Sequence, residues 1–451
     1  MVLKKFLAVF LSLVIFVMVI APISAIAKDT CDCDEVPIIY VRGRSPIYLD
    51  RDDPNSHEIP AFSEEFIKKA AKELVPVYTK GYLTDDFSEF KTLLTQYMAE
   101  LCKDYMLDKN GEVPNNSGQK ACEYWKNVPL TDIHKTSNDV STANGAHDEL
   151  YKYFYQYDSR VDPCETADDL HEYIQAVKKV TGHSRVKLLG RCLGTIILSA
   201  YLAEYGWEDV DDVVLYNSIC FGTEVNNSLF NGELYFDADG VDYFATQNLG
   251  DSLLFTLLKE IITLSNKLNG LDMTMDYFNK TGTRVAKYVI PDVMRACYGT
   301  FPAYWAMVSA DRFEEARDYI FAGVEDEYAG LIQKINHYYE TVGSKLTSMY
   351  KQMEADGVHV SIVAKYGSSF TPLFIMRIFR VICLPLASSR LRAQRQLLSV
   401  KSSAMIILHR QRQTEQISIF LPTFQLTLQQ RFSRTRPGMF KTSITTVIRG
   451  H

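Results

Sequence analysis

The sequence predicts an α/β fold built on a parallel sheet. Three observations point there. Strand-like and helix-like runs alternate between residues 150 and 216. A glycine-flanked turn, Gly190-Arg191-Cys192-Leu193-Gly194, joins a strand-like run to a helix-like one. A further β-branched run, Val358 to Ala364, returns after a long helical stretch. Strand–helix–strand repetition implies right-handed parallel crossovers, and hence a sheet with helices on its faces.

Taken in order, the chain opens with Lys4 and Lys5 before an apolar run from Phe6 to Ile20, then Ala25-Ile26-Ala27. That pattern reads as a cleaved secretory signal over residues 1–27, with an uncleaved membrane anchor as the alternative. Export would permit disulfides among the nine scattered cysteines, and Cys102 with Cys122 could close a local loop. Val36 to Val41 is β-branched and ends in Arg42-Gly43-Arg44, and residues 60 to 110 show helical periodicity. Residues 108 to 122 read as loop, Leu150 to Tyr157 as an aromatic strand, and Ser159 to Pro163 as a turn. Thr166 to Thr181 is amphipathic through Leu170, Ile174, Val177 and Val180, with Gly182 as its stop. Val186 to Leu189 is a strand, Thr195 to Tyr205 a helix, and Asp212 to Tyr216 a strand.

Residues 225 to 356 change character: they are mainly helical and carry aromatic pairs such as Tyr243-Phe244, Tyr277-Phe278, Tyr304-Trp305 and Tyr338-Tyr339. An aromatic-rich insert between two strands reads either as a cap over a pocket or as an ordinary helical subdomain with those rings in its core.

The net charge of −7 conceals a break at residue 375. Residues 375–451 hold 13 Lys and Arg against one acid, Glu415, so the tail carries +12 and the preceding body −19. All 27 tyrosines precede the break. Three readings fit: a basic arm for nucleic acid or an anionic membrane, a separate C-terminal domain, or translation in a shifted reading frame. The composition favours the third, a frameshift. Regrouping the degenerate codons of Leu421 to Phe440 from another base permits Asp, Trp and Tyr, types that this stretch lacks. The tail is expected to be disordered, the sheet's C-terminal strands to be missing, and no nucleic acid to be bound.

The stretches Val36–Gly43, Tyr157-Asp158-Ser159-Arg160 through Pro163, the turn around Cys192, Val213–Gly222 and Val360–Pro372 together resemble the lipase-like, secreted bacterial branch of the α/β-hydrolases. The resemblance covers about residues 35 to 374. It implies an α/β-hydrolase parallel sheet with a helical cap insertion: core over 35–224, cap or lid over 225–356, core again over 357–374. It also implies a lipase- or esterase-like hydrolase of carboxylic esters, acting on an ester or lipid-like small molecule through a nucleophile–His–acid triad. The chain departs from the branch in having Cys192 in place of Ser, Arg42 where a His-Gly pair often opens the oxyanion loop, and the aberrant tail where the acid and histidine belong.

In a G-x-nucleophile-x-G elbow the glycines relieve a turn too tight for side chains, and the central residue is pushed out above the sheet. Cys192 is therefore the nucleophile candidate. A helix N-terminus and the adjoining Arg191 would both lower its thiol pKa. The backbone N–H of Leu193, with a second donor from Gly43-Arg44, would form the oxyanion hole. Arg42 and Arg44 would otherwise pair with Asp50 or Asp52. Asp158, Arg160 and Asp162 read as a turn-stabilising ion cluster. His147, His171, His183, His337 and His359 read as surface or structural, and His409, His451 and Glu415 sit in no recognisable triad context. No phosphate loop, nucleotide fingerprint or metal-ligand spacing is present, so no cofactor is expected. The chain as written is expected to be a poor catalyst. A hydrolase-like binding protein without turnover, or a membrane-surface protein using the tail, are the alternatives.

Overall fold

The structure, a computed structural model, describes residues 36–59, 64–129, 152–233, 238–239, 241–242, 253–268, 270–365, 405–411, 414–421 and 424–427. The signal-like segment, Cys31, Cys33, Cys383, His147 and His451 lie outside these residues.

Five parallel strands form the centre of the molecule: β1 (Ile38–Val41), β2 (Lys152–Tyr155), β3 (Val186–Arg191), β4 (Val210–Tyr216) and β5 (His359–Lys365), in the spatial order β2-β1-β3-β4-β5. Their apolar content explains the placement. Ile39, Val41, Val186, Leu188, Val213 and Leu215 are each at most 1% exposed, as expected for strands covered on both faces. Two helices lie against them. α3 (Pro163–Thr181) starts with Asp162 as N-cap, accepting from the Cys164 N–H at 2.8 Å, with Pro163 in the first turn. It stops at Gly182, whose φ of 75° closes the last turn. α4 (Gly194–Tyr205) is apolar nearly all round and buried from Gly194 to Leu202.

Between β1 and β2 the chain inserts α1 (Glu64–Thr84) and α2 (Ser88–Cys102). Between β4 and β5 it inserts α5 (Glu224–Phe230), α6 (Leu253–Lys267), α7 (Gly270–Arg295), α8 (Pro302–Trp305), α9 (Phe313–Phe321), α10 (Ala329–Thr341) and α11 (Leu346–Ala355). The second insert carries its own apolar cluster, with Phe230, Trp305, Phe313 and Phe321 at its centre. Trp305 is 1% and Tyr338 5% exposed. Of the two readings of the aromatic pairs, these residues follow the second: they are core. α1 and α2 also pack on α7, burying Phe87, Val285, Val289 and Val293 together. The two inserts therefore share one apolar layer, a contact between distant segments that no local pattern signals. Cys102 is buried in that layer beside Cys297, whereas Cys122 is exposed. The possible Cys102–Cys122 loop is not formed in this structure, where both thiols are free.

Beyond residue 374 no sheet strand was expected, and disorder was. The sheet instead continues through β6 (Met405–Gln411), β7 (Thr414–Leu421) and β8 (Phe424–Thr427), all antiparallel. Short runs such as Ile417-Ser418-Ile419 alternate apolar and polar residues, and an apolar β-branched stretch pairs readily whatever the charge of its surroundings. No parallel strand follows β5 among the described residues. No described helix is long and apolar enough to cross a membrane.

Candidate functional site at the head of the sheet

The strand order fixes where a site can form. From the neighbours β1 and β3, the chain proceeds outward to β2 on one side and to β4 and β5 on the other. Connections leave in opposite directions at the carboxyl ends of β1 and β3, and the crevice that opens there is the usual ligand position in such sheets. Arg42-Gly43-Arg44 ends β1 and Cys192-Leu193 ends β3.

The turn at Cys192 is built by close contacts. Cys192 has φ of +53°, one of three non-glycine residues in the left-handed region among the described residues. Such backbone costs of order 1–3 kcal/mol and persists only where surroundings impose it. They do so here. The Cys192 N–H donates to the Tyr216 carbonyl at 3.0 Å, and the Cys192 carbonyl accepts from the Thr195 N–H at 2.9 Å and from its hydroxyl at 2.7 Å. A Cβ on Gly190 would meet Leu198 Cδ1 at 2.7 Å, and one on Gly194 would meet the Val41 carbonyl oxygen at 2.3 Å. Both glycines are therefore sterically required, the first by helix α4 and the second by strand β1.

Gly43 completes the arrangement. A Cβ placed on it would lie 3.2 Å from Cys192 Cβ and 3.1 Å from the Arg191 oxygen, so the loop after β1 rests directly on the turn. Tyr157, stacked on Tyr155 at 5.8 Å, holds that loop by donating to the Arg42 carbonyl at 3.0 Å. The structure thus brings together Cys192, Leu193 and Gly43. The Arg44 side chain, which a backbone oxyanion donor does not use, has its guanidinium 5.6 Å from the centre of the Tyr105 ring. Arg42 donates to Gln156 at 3.2 Å, while Asp50 and Asp52 are both bound by the Asn116 amide, at 2.6 and 2.9 Å. The expected pairing of these arginines with Asp50 or Asp52 gives way to amide and ring contacts.

The electrostatics of Cys192 differ from expectation. Burial raises the thiol above its usual value; the Leu193 N–H and Arg191 act in the opposite direction but do not offset it. Arg191 is drawn toward Tyr40, whose hydroxyl is the main influence on its guanidinium.

No histidine position on the described backbone serves this thiol. His171 stacks on Tyr205, ring centres 4.0 Å apart, at the far end of α4. A 12-residue helix puts that end about 18 Å away. His183 and His359 precede β3 and begin β5, at the amino edge of the sheet. His337 is exposed on α10. His409 lies on β6, where Leu408 pairs with Ile362 and Met405 with Lys365. His409 therefore falls beyond Ile362, toward the same amino edge, and Glu415, opposite Arg410, falls there too.

Asp158, Arg160 and Asp162 separate into two roles. Asp158 forms an ion pair with Arg160 at 2.6 Å, and Arg160 is fully buried, donating also to the Tyr105 and Ser117 carbonyls. Asp162 is the α3 cap. Of the expected ion cluster, the structure keeps one pair.

Sequence reasoning missed the contribution of β4. Asn217 follows its last residue with φ of +50°, donates its N–H to Val363, and has a buried Oδ1 without a hydrogen-bond partner among the described residues. Ser218 contacts Cys220 Sγ at 3.2 Å, and the Ile219 N–H donates to Thr195 Oγ1 at 3.2 Å. The available signal was a short polar pair, Asn217-Ser218, just past an apolar strand. Past this loop a cavity of about 250 Å³ is lined by Cys220, Phe221, Trp305, Ser309, Tyr338 and Leu346 among others. That exceeds the ~150 Å³ that holds a benzene ring. Among the described residues no cluster of His, Cys, Asp and Glu is arranged to hold a metal ion.

No known protein family, curated protein or solved structure matches this chain. What is established is a parallel α/β sheet flanked by helices, of the kind an α/β-hydrolase also has.

Proposed function

We propose that this chain is an α/β-hydrolase-like protein, lipase- or esterase-related, whose chemistry is the attack of Cys192 on a carboxylic ester. The observation that supports it is the left-handed backbone of Cys192 at the strand-to-helix corner of β3 and α4, with Gly43 packed against it at the β1/β3 crevice. In the reaction the Cys192 sulfur bonds to the ester carbonyl carbon, the carbon–oxygen bond breaks, and the thiol proton ends on the departing alcohol. Water then cleaves the thioester, giving its hydroxyl to the acid and its proton to the sulfur. The Leu193 N–H supports the negative oxygen between these states. Turnover is slow, because burial disfavours the thiolate and no described histidine stands ready to take its proton. The signal-like sequence of residues 1–27 favours a site of action outside the cytoplasm, secreted or anchored.

A second reading, a hydrolase-like pocket that binds without turnover, is favoured by the same raised thiol. A short p-nitrophenyl ester separates the two. The wild-type chain is expected to release p-nitrophenolate slowly but above the background rate, to which Cys192→Ala should fall. Identical traces from both proteins would reject the enzymatic reading in favour of the binding one.

A further inference from the structure

We propose that Cys102 and Cys297 form a disulfide that ties the insert after β1 to the insert after β4. The two residues are 195 positions apart in the chain. They meet in one buried apolar layer: Cys102 is 4% and Cys297 1% exposed, among Phe87, Val285, Val289 and Val293. Both are free thiols in this structure, and each is the largest influence on the titration of the other, so the two adjoin. The Cys297 sulfur also lies 2.9 Å from the Val293 carbonyl oxygen, which fixes its direction. The helix that ends in Cys102 and the one that closes two residues before Cys297 are held in register independently. Lys91 on α2 bonds Asp292 on α7 at 2.5 Å, and Asp85, just before α2, pairs with Arg284. The geometry thus presents two thiols to each other rather than to solvent or to a metal, since no third ligand stands beside them among the described residues. The mutual influence of the two adjoining thiols holds Cys102 below its usual value and Cys297 well above it, so Cys102 is the readier thiolate of the pair.

A dissolved low-molecular-weight disulfide such as oxidised glutathione supplies the oxidant while the chain folds, before the layer closes. The Cys102 thiolate attacks one glutathione sulfur and expels the other as a thiol. The Cys297 thiolate then attacks the Cys102 sulfur of the mixed disulfide and expels the second glutathione. Two protein thiols lose two electrons and two protons, and one glutathione disulfide becomes two thiols. The bond closes a long loop and thereby restricts the unfolded chain more than a local bridge would.

The full chain refolded in a glutathione redox buffer, denatured, alkylated and digested without reductant is expected to give a peptide joining Cys102 to Cys297. That peptide should vanish on reduction. Recovery of both cysteines in alkylated form, or of Cys102 linked to Cys122 or to any other cysteine, would overturn the proposal. The single variants Cys102→Ser and Cys297→Ser serve as a second measurement. Each should melt several degrees below the oxidised wild type yet close to the reduced wild type. A reductant that leaves the wild-type melting point unchanged would also overturn it.

Discussion

Gly194 lies against the Val41 carbonyl so closely that a Cβ there would stand 2.3 Å from the Val41 oxygen and 2.5 Å from that of Arg42. The start of α4 is thereby pressed onto the end of β1, and Cys192 is held between them. The obstacles are backbone atoms, which cannot turn aside as a flexible side chain would. Gly194→Ala is therefore expected to destabilise the fold by at least the ~1–3 kcal/mol typical of overpacking. Chemical denaturation should show a lower midpoint with an unchanged slope. An alanine variant as stable as wild type would mean that the turn is looser than these contacts require.

The elbow was legible in the sequence because its causes are local: two glycines four residues apart, an apolar strand before them and an apolar helix after. The same holds for α3, whose Asp162 cap, Pro163 and Gly182 stop are all printed in the chain. Three things were not legible. The burial that raises the Cys192 thiol, against which Arg191 acts, depends on distant chain such as Gly43 in the loop after β1, which rests on the turn. The meeting of Cys102 with Cys297 depends on the packing of two inserts nearly two hundred residues apart. The strands at 405–427 were hidden because a charge count averages over a segment, whereas pairing depends on alternation over a few residues.

The raised thiol predicts how Cys192 should respond to pH. The thiolate is the reactive form, so alkylation by iodoacetamide should accelerate as pH rises. Burial shifts the midpoint upward, above the value near 8.5 of a free cysteine. Arg191 acts downward, so Arg191→Gln should move the midpoint higher still and slow the reaction at any fixed pH below it. Peptide-resolved mass spectrometry distinguishes Cys192 from the exposed Cys122. A midpoint at or below that of free cysteine would show that the helix terminus and Arg191 outweigh burial.

Asn217 predicts a backbone effect. Its φ of +50° suits asparagine and glycine better than other residues. Its Oδ1 has no partner to lose among the described residues. Asn217→Gly should therefore leave stability nearly unchanged, within the few tenths of a kcal/mol usual for a compatible site. Asn217→Val, branched at Cβ, should cost about 1–3 kcal/mol. Melting curves of the two variants compare these costs directly. Equal losses would mean that the Asn217 side chain matters more than its backbone.

The ion pair at the head of α3 gives the largest expected stability effect. Arg160 is fully buried and Asp158 is 15% exposed, and the two meet at 2.6 Å. Asp158 accepts from both Nε and Nη2 of Arg160, leaving the Tyr105 carbonyl and Ser117 for the rest of the guanidinium. Asp158→Ala removes the only acid among these partners and strands a buried cation, which typically costs about 3–5 kcal/mol. Replacing both partners, Asp158→Ala with Arg160→Met, should cost less than the single acid deletion, because no unpaired charge remains. Urea denaturation of the single and double variants tests the sign of that difference. A double variant clearly less stable than Asp158→Ala would show that the guanidinium's bonds to Tyr105 and Ser117, rather than its charge balance, hold the turn together.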